Sequence, residues 1–126
     1  MIQAGRRFVV SEHIVREGDV HWDLMVEDGP ALVTFQLVAR PAGPGLVLGR
    51  RLPDHRLAYL EYEGPVSNDR GAVAIRERGR AVDLRGGPRE PRWSARVAGD
   101  RLLGVLEVQD VGEREVEVRI RADEDG

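Results

Sequence analysis

The residue types best suited to chemistry gather in the first half of the chain, around its three histidines, His13, His21 and His55. The segment 21–27 reads HWDLMVE, and side chains alternate along a strand, so His21, Asp23 and Glu27 share one face. An imidazole and a carboxylate two residues apart are workable ligands for Mn²⁺ or Zn²⁺, and His13 is placed to supply a third. Since a lone His-x-Asp pair is common, a solvated strand with incidental polar residues remains the alternative.

A second polar segment follows at 54–64, DHRLAYLEYEG, and the spacing predicts a strand over 57–62. On a strand, His55 and Tyr59 would lie about 13 Å apart, within reach of two ends of one substrate group. A histidine can move a proton, and a tyrosine hydroxyl can donate to a phosphate oxygen. The alternative for Tyr59 is an amphipathic core residue with its hydroxyl at the rim. Glu61 and Glu63 are interpreted as residues of a solvated strand edge.

The composition excludes several kinds of site. Cysteine is absent, so disulfides, thiolate zinc sites and cysteine nucleophiles are ruled out, as suits a cytoplasmic protein. The net charge of −3 argues against broad, nonspecific duplex binding. All 19 basic residues counted as Lys or Arg are arginines. A contact of such a residue with a phosphate would therefore be made by the planar guanidinium group, which can donate two parallel hydrogen bonds.

The segments that would hold these candidate residues are predicted to be strands, separated by turns that contain Gly, Pro and Asp. Short strands at close spacing, with no convincing helical period, indicate an all-β sandwich or barrel. We expect one domain over 1–121 and an acidic, disordered tail over 122–126. Gly99-Asp100 is typical of a hairpin turn. The predicted strands cover 7–13, 21–27, 31–39, 57–62, 71–77, 80–84, 93–97, 102–109 and 115–121.

Taken together and in order, these motifs resemble the 3′-phosphoesterase domain of bacterial ligase D, and in particular the short standalone branch of that family. The resemblance spans nearly the whole chain. It is carried by FVVSEH at 8–13, HWDL at 21–24, Asp54-His55 with Tyr59, YEG at 62–64, and the closing GDRLLG at 99–104.

The resemblance implies a compact, closed β-barrel of about eight mainly antiparallel strands with little helix and a polar interior site. It implies a divalent metal, usually Mn²⁺ with Zn²⁺ or Co²⁺ as alternatives, held by His13, His21 and Asp23. It also implies that His55 and Tyr59 contact the scissile phosphate. The activity implied is removal of a 3′-terminal ribonucleoside and then of the 3′-phosphate.

The chain departs from the family pattern at several positions. A phosphate-binding arginine of the family is replaced by Met25, and a glutamine by Ser11, which we expect beside the metal ligands. Arg56 and Arg70 are the candidate replacements for the lost guanidinium. Glu27 is expected to orient a ligating histidine.

The first functional hypothesis is therefore a metal-dependent 3′-phosphoesterase that processes nucleic-acid 3′ ends in DNA repair. Alternatives are a catalytically decayed module that keeps metal and phosphate binding, and a phosphodiesterase acting on a small nucleotide. The expected partners are a DNA or RNA/DNA 3′ end and a separate end-joining ligase. We expect a monomer with no membrane partner.

Overall fold

The computed structural model describes residues 5–123 and consists almost entirely of β-strands. A single turn of 3-10 helix, Leu57–Leu60, interrupts them. The strands are β1 Arg6–Arg16, β2 Asp19–Asp28, β3 Ala31–Leu37, β4 Gly45–Arg56, β5 Gly64–Pro65, β6 Ala72–Arg85, β7 Arg92–Ala98, β8 Leu103–Asp110 and β9 Glu115–Arg121.

The strands form a closed antiparallel barrel of eight strands, with β5 as an additional strand paired to β6. The neighbour order runs β1, β2, β3, β4, β9, β8, β7, β6, and pairing of β1 with β6 closes the ring. Closure removes the unpaired edges that an open sheet would expose. The predicted closed barrel of about eight strands is thus confirmed.

An apolar cluster to which all eight barrel strands contribute fills the interior. Trp93 and Phe35 are among its largest side chains, with ring centroids 6.1 Å apart, and both are fully buried. On β1 and β2 the inward residues are the even-numbered Phe8, Val10, Leu24 and Val26. The interior is therefore packed with hydrocarbon, and the polar interior site implied by the resemblance is not found there.

A second, smaller apolar cluster lies on the outer face of the barrel wall, where β1, β2, β3 and β6 meet. It contains Val9, Met25, Leu32 and Ile75, which project away from the interior, and it is covered by Leu60 of the 3-10 turn. Residues three apart on a 3-10 helix lie on the same side, so Leu57 packs against this cluster together with Leu60. The prediction of a strand over 57–62 was wrong because this period of three, rather than alternation, buries the leucines.

Strand β4 was missed in the sequence, because Gly49 and Pro53 interrupt its apolar pattern. A Cβ on Gly49 would lie 2.5 Å from the Gln36 carbonyl oxygen, so only glycine allows the strands to approach this closely. Pro53 has no N–H to donate. None is needed for pairing with β9, because that pairing ends at Arg50. The two strands predicted at 71–77 and 80–84 are one continuous strand, β6.

Arginine side chains tie the loop before β7 to the barrel. Arg51 donates hydrogen bonds to Asp110 Oδ1 at 2.8 Å and to the carbonyl oxygens of Pro88 and Glu90, and its guanidinium lies 4.9 Å from the Phe35 ring centroid. Arg89 bridges Asp28 and Asp54. The second bridge fixes the end of β4, directly before His55.

The predicted hairpin is present between β7 and β8, and Gly99 N donates to the Leu102 carbonyl oxygen at 2.9 Å. The buried Glu77 carboxylate accepts hydrogen bonds from the backbone of Arg101 and Leu102 in this turn. Of the predicted tail, Asp123 pairs with Arg96 at 3.3 Å, and residues 124–126 lie outside the described residues. Within residues 5–123, no helix has the length and apolar character needed to cross a membrane.

Candidate metal and phosphate site

A small pocket of about 80 Å³ lies on the outer face of β1 and β2, next to the outer apolar cluster. The 3-10 turn borders it on one side and the loop 66–71 on the other. Most of the predicted site residues meet here. Its walls are formed by Ser11, His13, Asp23, Met25, His55, Tyr59, Val66, Arg70 and Val73.

The register of β1 with β2 brings the two early motifs together. Ser11 lies opposite Asp23 and His13 opposite His21, and all four side chains project to the outer face. His13 Nδ1 and Asp23 Oδ2 are 3.9 Å apart. The alternation predicted from the sequence is correct, since Leu24 and Val26 point into the barrel.

Asp23 is the electrostatic centre of the pocket. It is 5% exposed, and its Oδ1 atom has no hydrogen-bond partner. The only other buried side-chain atom without a partner among residues 5–123 is the indole nitrogen of Trp93. Burial raises the pKa of the Asp23 carboxyl, and the nearby His13, His55 and His21 act in the opposite direction. The pocket thus contains a desolvated carboxylate with an unused oxygen and imidazoles around it.

His21 does not join His13 and Asp23 as predicted. Its ring lies edge-on to that of His13 with centroids 6.3 Å apart, but its Nε2 atom is 3.3 Å from Asp19 Oδ1. Asp19 begins β2 two residues earlier and competes for the imidazole. In the part of the chain that the structure describes, no three His, Asp or Glu side chains are arranged to hold a metal ion.

The residues nevertheless fit a divalent cation in their chemistry. Bonds from zinc to nitrogen or oxygen are roughly 2.0–2.2 Å, so two ligands of one ion lie at most about 4.3 Å apart. The 3.9 Å between His13 Nδ1 and Asp23 Oδ2 is within that limit. It exceeds by about 0.5 Å the roughly 3.4 Å between two tetrahedral ligands, so the side chains would close slightly on a bound ion. The unpartnered Asp23 Oδ1 is the kind of buried atom that a cation would satisfy. His21 would complete the set after exchanging Asp19 for the ion by rotation of its side chain, which is 33% exposed.

His55 and Tyr59 are much closer together than a strand would place them. Their ring centroids are 5.6 Å apart, because His55 is the penultimate residue of β4 and Tyr59 lies in the 3-10 turn that follows. His55 Nδ1 is 3.2 Å from the carbonyl oxygen of Pro53, and Nε2 is the ring nitrogen that this contact does not involve. Tyr59 also contacts the outer apolar cluster. The pair therefore forms one wall of the pocket rather than two ends of a groove.

Of the two candidate arginines, only Arg70 lines the pocket. Its guanidinium donates to the Ser67 carbonyl oxygen at 2.9 Å and to Ser67 Oγ at 3.2 Å. The Arg56 guanidinium instead lies 5.9 Å from the Tyr59 ring centroid and forms no part of the pocket wall.

Glu27 does not lie beside a candidate ligating histidine, where we expected it. Its carboxylate binds the Arg7 guanidinium at 2.7 Å and 3.2 Å, and it orients no histidine. The physical reason is its position, since it lies across from Arg7 at the far end of β2 from His21. Ser11, by contrast, is buried beside Asp23 as expected.

Sequence reasoning missed three parts of the site. The first is the carbonyl oxygen of Arg70, 2.6 Å from His13 Nε2. The second is the bridge from Arg89 to Asp54, which holds the strand end beneath His55. The third is Val73, an apolar wall residue. No side-chain pattern signals a backbone acceptor or a contact between residues 35 positions apart.

This sequence matches no protein-family model and no curated protein.

Proposed function

We propose that this protein is a metal-dependent phosphoesterase that acts on nucleic-acid 3′ ends. The observation that supports the proposal best is the pocket itself. It combines a buried carboxylate with an unpartnered oxygen, an imidazole facing that carboxylate, and a His–Tyr pair beside them. Proton donors next to candidate cation ligands are what hydrolysis of a phosphate ester requires.

Asp23, His13 and a rotated His21 would hold the cation, with Mn²⁺ as the first choice. When bound, a divalent ion neutralises charge on the phosphate and lowers the pKa of a water molecule. His55 would donate a proton to the leaving oxygen, and the Tyr59 hydroxyl would donate a hydrogen bond to a non-bridging oxygen. On a 3′-phosphate end, the oxygen of water would bond to phosphorus as water gives up a proton to solvent, the bond from phosphorus to the 3′ oxygen would break, and the products would be a 3′-hydroxyl end and phosphate. On a 3′-ribonucleotide end, the bond from phosphorus to the 5′ oxygen of the terminal nucleoside would break instead and leave a 3′-phosphate.

Met25 stands where the family pattern has an arginine, and its side chain lies in the outer apolar cluster. Met25 is 2% exposed, packs with Val9 and Leu32 in the outer cluster and also lines the pocket. Its thioether has no hydrogen to donate to a phosphate, so it cannot replace the guanidinium. Arg70 is the basic side chain on the pocket wall. Breaking its bonds to Ser67 would free the guanidinium for a bidentate phosphate contact.

The test is Mn²⁺-dependent conversion of primers that carry a 3′-phosphate or one 3′-ribonucleotide. We expect His55→Ala to lower the rate by about 10²–10⁴-fold. Tyr59→Phe should lower it about 10-fold, as expected for loss of one hydrogen bond. Tyr62→Phe is the matched control, because that hydroxyl bonds to the Pro65 carbonyl oxygen and lies outside the pocket. It should leave the rate unchanged.

The outcomes separate the competing functions. Mn²⁺ binding and end binding without any product would indicate the decayed binding module. Faster turnover of mononucleotides than of oligonucleotides would indicate the small-nucleotide phosphodiesterase. Equal effects of the Tyr59 and Tyr62 substitutions would contradict the role given to Tyr59.

A further inference from the structure

The imidazole of His13 is held by a backbone acceptor rather than by a side chain. His13 Nε2 lies 2.6 Å from the carbonyl oxygen of Arg70, which can only accept a hydrogen bond. The proton of a neutral His13 is therefore on Nε2, and the lone pair is on Nδ1. Nδ1 is the atom that lies 3.9 Å from Asp23 Oδ2. His13 Nδ1 and Asp23 Oδ2 each have an electron pair to donate, so a cation between them would be bound by both.

Gly71 is what brings this carbonyl so close to β1. Its φ of +85° is in the left-handed region that favours glycine. A Cβ built at Gly71 would lie 1.9 Å from the carbonyl oxygen of Ile14, the residue after His13. The loop is closed by a 2.7 Å hydrogen bond from Val66 N to the Gly71 carbonyl oxygen. No larger residue fits here unless the loop moves away from His13.

We infer that the Arg70-Gly71 peptide is a positioning element, which fixes the tautomer of His13 so that Nδ1 is presented to a cation shared with Asp23. The statement about the tautomer depends only on the hydrogen bond. The statement about the cation rests on the proposed function. Backbone carbonyls that orient a ligating histidine in this way typically contribute 10–100-fold to metal affinity.

The first measurement needs no variant. Long-range ¹H–¹⁵N NMR of the wild-type protein in EDTA, at about pH 8 where histidines are ordinarily neutral, reports which ring nitrogen carries the proton. Since the chain has three histidines, His21→Gln and His55→Gln assign the His13 signals by elimination. We expect a protonated Nε2 and an unprotonated Nδ1. A protonated Nδ1 would overturn the inference directly.

The second measurement compares Gly71→Ala with Gly29→Ala, using Mn²⁺ affinity by calorimetry and the same NMR signals. Gly29 also has a positive φ, +60°, but a Cβ there meets nothing within 4 Å, so it controls for backbone strain alone. Gly71→Ala should weaken Mn²⁺ binding by about 10–100-fold and mix the two His13 tautomers, whereas Gly29→Ala should change the affinity less than twofold. Arg70→Ala, which keeps the carbonyl, should preserve both the affinity and the tautomer.

The results distinguish failure of the inference from failure of the proposed function. Unchanged affinity and tautomer in a folded Gly71→Ala protein would overturn the inference while the phosphoesterase proposal stands. A wild-type protein with the expected tautomer but no Mn²⁺ binding would contradict the proposed function and the cation part of the inference, and would support the tautomer part.

Discussion

Replacing Asp23 by asparagine should stabilise the metal-free protein and remove its response to metal. Asp23 is 5% exposed and its Oδ1 atom has no partner, so folding strips water from a charged group that the nearby histidines compensate only in part. An unpaired buried polar group costs about 1–3 kcal/mol, and more when it is charged. Asparagine keeps the size and removes the charge but not the unpaired atom. We therefore expect a gain of about 1 kcal/mol in the free energy of unfolding.

The assay is urea and thermal unfolding in EDTA and again with saturating Mn²⁺. A gain of 1 kcal/mol corresponds to a rise in Tm of roughly 4 °C for a domain of this size. An ion at 100 times its Kd stabilises the protein that binds it by about 2.7 kcal/mol. The order of stability should therefore reverse, with the variant more stable in EDTA and the wild type more stable by roughly 2 kcal/mol in Mn²⁺.

The pH dependence provides an internal check. Because burial raises the pKa of Asp23, the folded state binds its proton more tightly than the unfolded state does. The wild type therefore loses stability as pH rises from the ordinary aspartate pKa, about 3.9, to the raised value. The advantage of Asp23→Asn should grow through that window and then stay constant. An Asp23→Asn protein that is less stable than wild type in EDTA would refute the claim that burial of this carboxylate destabilises the metal-free protein.

Two further predictions concern the barrel rather than the pocket. Arg51→Ala should lower the free energy of unfolding by about 3 kcal/mol, because it removes three hydrogen bonds and a ring contact, whereas Arg50→Ala, which loses one exposed hydrogen bond, should cost less than about 0.5 kcal/mol by urea denaturation. Equal costs would contradict the anchoring role of Arg51. The pKa of Asp28 is lowered by hydrogen bonds from Arg6 and then Arg89, so its contribution to stability is present above the ordinary aspartate pKa and is lost as pH falls through the lowered value. Asp28→Asn should therefore flatten the acid limb of the stability curve, and an unchanged acid limb would refute this assignment.

The closed barrel is a solid scaffold, and the candidate site is built on its outside, between the wall and the segments that cover it. The 3-10 turn and the loop 66–71 supply Tyr59, Val66 and Arg70 to the pocket wall. Loops carried by a rigid sheet commonly hold functional residues in this way.

The sequence by itself determined the strand alternation that separates Asp23 from Leu24 and Val26, and this followed from the period of two alone. It also determined β9 with both of its ends, because the apolar and polar residues of that strand alternate without interruption, and it determined the central parts of β1 and β2. The grouping of His13 with Asp23 followed from the motif order in the resemblance, and the antiparallel register brings them together.

Only the tertiary structure decided the features that depend on contacts between distant segments. The distance from His55 to Tyr59, the pairing of Glu27 with Arg7 and the turn of His21 toward Asp19 each reflect competition between partners that spacing cannot rank. Strand alternation defines two faces, and only the closed barrel shows which face points inward and which one holds the site. A barrel buries one face of every strand, and burial of the other face depends on which loops fold back over it.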